Sequence, residues 1–272
     1  MLGFALNHMT VPGLRYDAVL RIAQSLGCVG VEFRNDLNGI LFDGDAPSVV
    51  AATARECGQR ILALAEVKSF NDWSDAKQAE AARLIDIAAH CGAEGVALIP
   101  RNDGQACGNG ERQANLRIAL RALAPMLEAR GLVGLVEPLG FDICSLRHKS
   151  EAVEAITDLG LTDRFRLVHD TFHHHLAGGG DLFPEMTGIV HISGVTDPEP
   201  ATEQMQDAHR VHVDAQDRLG NVDQIRALQQ AGYTGAISVE CFAPTVHQAT
   251  DPAAELAASF AFIRSSVAFE RT

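Results

Sequence analysis

Arg166-Leu-Val-His-Asp-Thr-Phe-His-His-His175 runs from an apolar core segment into a carboxylate and three imidazoles within a few residues. A buried strand that ends in Asp170, His173, His174 and His175 brings polar groups to one rim of a parallel sheet, where α/β proteins carry their chemistry. Three other stretches repeat the arrangement. Leu132-Val-Gly-Leu-Val-Glu137, Gly188-Ile-Val-His-Ile192 and Ala236-Ile-Ser-Val-Glu240 are short β-branched or leucine-rich runs with Glu137, His191 and Glu240 at or near their ends. An uncompensated carboxylate at the end of a buried strand is costly. Four such residues in series point to a shared partner, one divalent ion held by Glu137, Asp170, His191 and Glu240.

Working outward from this segment, strand and helix alternate eight times. Apolar runs predict strands at 3–8, 28–34, 61–67, 95–99, 132–137, the opening segment itself, 188–192 and 236–240. Helical periodicity and caps predict helices at 16–26, 47–57, 75–90, 150–159, 221–230 and 252–267. A further helix carries Leu116, Leu120, Leu123 and Leu127 on one side and is expected to kink or divide at Pro125, which lacks a backbone donor. After Ala177-Gly-Gly-Gly180, residues 181–186 leave room only for a short helix. If strand six continues through the imidazoles, His174 faces away from His173 and His175. No pattern fixes the structure of residues 193–219.

Eight strand-helix units predict a (β/α)8 TIM barrel, with residues 1–272 as a single domain. Strands five to eight then supply all four polar residues at their C-terminal ends. Their spacings of 33, 21 and 49 residues exclude a local chelating loop and fit successive strands joined by unequal connections. The Glu, Asp, His, Glu set is hard and oxygen-rich. It suits Mn2+, Mg2+ or Co2+, and Zn2+ is also compatible.

Composition narrows the function. The chain carries 22 basic against 35 acidic residues, a formal charge of −13, which repels phosphate backbones and anionic membranes. Met1-Leu-Gly-Phe-Ala-Leu6 reads as a first strand instead of an export signal. The six cysteines are scattered without a Cys-x-x-Cys pair, as expected of reduced thiols in a cytoplasmic protein. Strand two places Glu32 and Arg34 near the barrel mouth. Glu66 and Lys68, at the end of strand three, are candidates to contact substrate, and Asn7, His8 and Trp73 are candidate walls. The run Gly178 to Gly180 lacks the Gly-Lys-Ser/Thr chemistry of a phosphate loop.

Six fragments together carry a resemblance: Val31-Glu-Phe-Arg34, Leu135-Val-Glu-Pro-Leu-Gly140, Val168-His-Asp-Thr-Phe-His-His-His175, Val190-His-Ile192, Asp207-Ala-His-Arg210 and Ser238-Val-Glu-Cys-Phe-Ala-Pro244. Across essentially its whole length the chain resembles the xylose-isomerase-like superfamily of sugar isomerases and epimerases. Its Asp-x-Phe-His-x-His and Val-Glu-x-Phe-x-Pro patterns are most similar to the inosose-isomerase branch. The resemblance implies metal ligands at Glu137, Asp170, His191 and Glu240, a substrate-facing imidazole at His173, and an Arg210 that reaches the substrate. It implies one divalent ion, Mn2+ in first place, and a homodimer or homotetramer. Two stretches depart from the branch: Ser193-Gly-Val195 stands where an acidic pair is usual, and 213–220 replaces a Pro-Gly-x-Gly turn.

The implied reaction interconverts 2-keto-myo-inositol and 1-keto-D-chiro-inositol. Ketose 3-epimerisation or hydroxypyruvate-type isomerisation is the alternative for the same residues. A small polyhydroxy ketone that chelates an ion becomes more acidic at the carbon beside its carbonyl. Glu137 and Glu240 are the expected acid-base pair, moving the proton through an enediolate, while Arg210 and His173 stabilise the oxyanion or shuttle the hydroxyl proton.

Overall fold

Most strands are apolar on both faces, as a parallel strand between a filled interior and an outer ring of helices requires. The computed structural model describes residues 2–268. In chain order, β1 (Gly3–Asn7) is followed by α1 (Tyr16–Ser25), β2 (Gly30–Arg34) by α2 (Pro47–Glu56), and β3 (Arg60–Lys68) by α3 (Asp75–Cys91). β4 (Ala93–Ile99) leads to α4 (Asn109–Glu128), β5 (Val133–Val136) to α5 (Lys149–Asp158), and β6 (Phe165–Asp170) to the short α6 (Thr171–Leu176). β7 (Thr187–Ile192) precedes α7 (Asn221–Gln230), and β8 (Ala236–Val239) precedes α8 (Pro244–His247) and α9 (Pro252–Ala268). The strands pair in sequence order and β8 closes on β1, both in parallel, giving the expected (β/α)8 barrel.

Small and branched side chains fill the barrel interior: Ala5, Leu62, Ala63, Leu135, Val168 and Ile189 form one cluster there. A second, larger cluster packs the helices onto the strands. In it, Phe4 of β1 stacks on Phe260 of α9 with ring centroids 4.1 Å apart. Polar residues are buried at the other end of the strands, where Asn7, Glu32, Arg34, Asp170 and His191 all lie on or close to a C-terminal strand end. Among the described residues, no helix is long and apolar enough to cross a membrane.

Three local expectations give way. The imidazole run is helical: β6 stops at Asp170, whose carboxylate accepts the His173 backbone N–H at 3.0 Å and so caps α6. The helix fans the three rings apart, sending His174 against His169, with centroids 4.8 Å apart, and His175 toward Thr202. Residues 181–186 form no helix, because the turn of helix was already used at 171–176 and three successive glycines with φ of 83°, 83° and 109° end it. α4 runs undivided through Pro125: the proline costs only the bond its N–H would have given the Arg121 carbonyl, and the buried Leu123 and Leu127 anchor the helix around it.

The connection at 193–219 is built from two single 3-10 turns, Thr202–Gln204 and Asp207–His209, and an antiparallel bridge between Gly194 and Val211. That bridge fixes Arg210. Its carbonyl accepts the N–H groups of Phe242 at 3.0 Å and Ala243 at 2.9 Å, which seats the arginine beside the end of β8.

Candidate metal centre

Four strand ends converge. Glu137 lies one residue past β5, Asp170 ends β6, His191 is the penultimate residue of β7, and Glu240 lies one residue past β8. All four are buried, and one ligand atom from each lies within 4.8 Å of the others. The pairing of Asp170 with His191 and of His191 with Ser238 sets their common height on the barrel. Nδ1 of His191 stands 3.3 Å from Glu240 Oε2 and 3.6 Å from Glu137 Oε1, is buried, and has no hydrogen-bond partner. A buried imidazole nitrogen aimed at carboxylates, with no bond of its own, fits a lone pair directed at a shared cation. Three carboxylates and one imidazole are a donor set for a hard or borderline divalent ion.

Protonation within the cluster shows the same crowding. Burial pushes the Glu137 carboxyl up to about 7, against the pull of His191. Burial also works against a charged His191, but Glu32, Glu240 and Glu137 together hold its pKa well above the usual imidazole range. Glu240 goes the other way: despite burial, His191, Arg210 and Arg34 keep its carboxyl well below the usual carboxylate range.

Two guanidinium groups frame Glu240. Arg34 Nη1 donates to its Oε1 at 2.6 Å, and Arg210 Nη2 donates to its Oε2 at 3.0 Å. Arg210 also bonds Asp170 Oδ2 at 2.5 Å and Ser193 Oγ at 2.9 Å, and its guanidinium carbon lies 5.0 Å from the Phe172 ring centre and 4.5 Å from that of Phe242. Fixed on all sides, its charge is held in one place. Above the quartet opens a cavity of about 450 Å3, walled in part by Glu66, Lys68, Phe141, His173, Arg210 and Phe242. Its size is that of a small-molecule site. His173 is buried, its Nδ1 has no partner, and burial lowers its pKa, so the ring is neutral.

Glu137, Asp170, His191, Glu240, His173 and Arg210 are therefore brought together. Of the further candidates, Glu66 and Lys68 line the cavity and Asn7 donates to Glu240 at 3.2 Å. His8 instead bonds the Leu14 carbonyl, Trp73 packs on the core, and His174 faces His169. Sequence reasoning left Glu32 and Arg34 merely near the mouth. Both point inward, to His191 and Glu240 respectively, and the usable signal was their two-residue spacing in an otherwise apolar strand, which puts them on one face.

Residues 20–266 match the family described as xylose isomerase-like TIM barrel, and the chain belongs to it. The protein is thus of the class of xylose isomerase-like TIM barrels. Among solved structures it is similar to a xylose isomerase domain containing protein from Salmonella typhimurium LT2, at 29% identity and a TM-score of 0.89 over 97% of this chain and 96% of that one. It shares its fold with the IolI protein, solved with a bound zinc atom, at 19% identity and a TM-score of 0.87 over 98% and 99% of the two chains. It shares it also with D-psicose 3-epimerase from Clostridium cellulolyticum H10, solved with D-tagatose, at 14% identity and a TM-score of 0.74 over 98% and 99%. No curated protein matches the chain.

Proposed function

We propose that this protein is a divalent-metal-dependent isomerase that interconverts 2-keto-myo-inositol and 1-keto-D-chiro-inositol. The observation that carries the reading is the buried Glu137, Asp170, His191 and Glu240 quartet, which reaches the cavity through Glu137 and Glu240 and holds the orphaned Nδ1 of His191 against both. The quartet would hold one ion, Mn2+ in first place and Zn2+, Co2+ or Mg2+ as alternatives. When bound, such an ion polarises a ketone and its neighbouring hydroxyl and acidifies the carbon beside the carbonyl. The inosose choice is supported by the Asp170-Thr-Phe-His-His-His175 and Val239-Glu-Cys-Phe-Ala-Pro244 motifs.

Proton movement falls to the chain's own residues. Glu240, kept deprotonated by Arg34 and Arg210, is in the form a base requires to take a proton from the carbinol carbon next to the ketone. Glu137, which faces the same ring nitrogen of His191, takes a proton from solvent and returns it to the former carbonyl carbon, while Glu240 releases its own to solvent. Between the two transfers the substrate is an enediol, and a proton must pass from one oxygen to the other. Arg210 and the neutral His173 face the cavity and serve the oxygens, by charge and by proton exchange. The two phenyl rings flanking Arg210 exclude water from its faces.

The test is an NMR assay of the metal-loaded protein in deuterated water with 2-keto-myo-inositol and a panel of ketohexoses. The expected result is the 1-keto-D-chiro product, with deuterium at the carbon that receives the proton. Inert inosose alongside efficient C3 epimerisation of a ketose would reassign the substrate to the ketose class.

A further inference from the structure

Glu32 is 1% exposed on β2, and among the described residues no arginine or lysine is bonded to it. A buried carboxylate without a cation is costly and requires strong donors. It has two. Asn7 Nδ2 donates to its Oε1 at 3.3 Å, and His191 Nε2 approaches its Oε2 at 3.0 Å. Because a carboxylate only accepts, the second contact requires the proton of the imidazole to sit on Nε2.

The contact is aimed from the backbone upward. Asn7 Oδ1 accepts the Met9 backbone N–H at 3.0 Å, which turns its amide NH2 toward Glu32 and Glu240. β1 and β2 pair Asn7 directly with Glu32, so the amide and the carboxylate share one level of the barrel. Glu32 then meets His191 from across the interior, on the ring nitrogen opposite the quartet. Nδ1, left without a partner, faces Glu137 and Glu240.

We infer that Glu32 is a positioning residue for the metal centre: by accepting from Nε2 of His191, it fixes the tautomer and ring orientation that present an unprotonated Nδ1 to the ion. This rests on the reading of the quartet as a metal centre. The negative charge of Glu32 also raises the basicity of the imidazole, which strengthens it as a ligand. Half of the barrel that supplies no ligand thereby controls one. The Asn7 amide extends the same control to Glu240, since one NH2 group spans the two carboxylates.

The test measures zinc binding, independently of turnover. Zinc is titrated into metal-free wild type, Glu32→Gln and Glu32→Asp in competition with a chromophoric chelator. The expected result is affinity about 10- to 100-fold weaker in Glu32→Gln, with part of the loss recovered in Glu32→Asp, which keeps the carboxylate. Equal affinity in wild type and Glu32→Gln overturns the role of Glu32 while leaving the metal centre standing. A wild type that takes up no zinc removes the metal centre and this role with it. Should the variants fail to fold, the zinc-loaded wild type with 15N-labelled histidine decides. Its His191 is expected to be protonated at Nε2 and zinc-shifted at Nδ1, and coordination through Nε2 would refute the proposal.

Discussion

Arg34 Nη1 lies 2.6 Å from Glu240 Oε1, so the second strand of the barrel reaches the carboxylate that follows the eighth. The same guanidinium bonds Asp36 at 2.8 Å through Nη2 and Glu66 at 3.2 Å, so one buried cation serves three acidic groups. Replacing it with Met strips the buried Glu66 of its bonded cation and leaves Glu240 with Arg210 alone. Arg34→Met is expected to lower unfolding free energy by about 3–5 kcal/mol, the usual consequence of stripping one partner from a buried ion pair. Urea denaturation of the metal-free protein reads this. An unchanged midpoint would show that the three carboxylates do not depend on Arg34.

Glu240→Gln preserves shape while removing the capacity to take a proton. Turnover is expected to fall about 100- to 10,000-fold, with the far-ultraviolet circular dichroism of the folded barrel retained. Measured activity within a few-fold of wild type would place the base elsewhere.

Stability of the metal-free protein should depend on pH in a definite direction. His191 has its pKa raised on folding, so its contribution is fully present below the unfolded value of 6.5 and is lost as pH rises through the folded one. Glu137 acts in the same sense, because its raised pKa of about 7 means the folded state holds a proton that the unfolded chain has released above 4.5. The contribution of these two groups should therefore fall as pH rises from 4.5 toward 7 and beyond, against the opposite slope of His169, His173, His174 and His212, whose pKa values burial lowers, so it is read as the melting-temperature advantage of wild type over Glu137→Gln. Metal binding must displace those protons, so affinity should tighten over the same range. A wild type that gains on Glu137→Gln as pH rises in the stripped protein would contradict these assignments.

Gly140 occupies a place where no side chain fits. A Cβ there would stand 2.3 Å from the His173 carbonyl oxygen and 2.6 Å from Leu176 Cβ, so α6 and the loop after β5 must part to admit it. Gly140→Ala is expected to cost about 1–3 kcal/mol of stability and to weaken substrate use by displacing His173. Thermal unfolding together with KM measures both, and a neutral substitution would mean that α6 shifts freely.

The barrel was legible because alternation of apolar runs with capped helices repeats eight times, and each quartet residue stands at or next to the end of one of those runs. The imidazole run was ambiguous for a definite reason: Asp170 serves at once as a strand end and as a helix cap, and strand periodicity does not reveal the second use. Glu32 and Arg34 were visible as charges but not as partners of His191 and Glu240, because those contacts cross the barrel between strands distant in sequence. Arg210 sits in a connection whose structure depends on the Gly194 and Val211 bridge, a pairing that no local propensity encodes.

The most direct measurement is a titration of the chelator-stripped protein with Mn2+, following turnover of 2-keto-myo-inositol and metal content together. The expected result is no turnover without metal, then a linear rise that stops at one bound ion per chain, with Glu240→Gln at least about 100-fold slower throughout. Full turnover in demonstrably metal-free protein would contradict a metal-dependent site at Glu137, Asp170, His191 and Glu240.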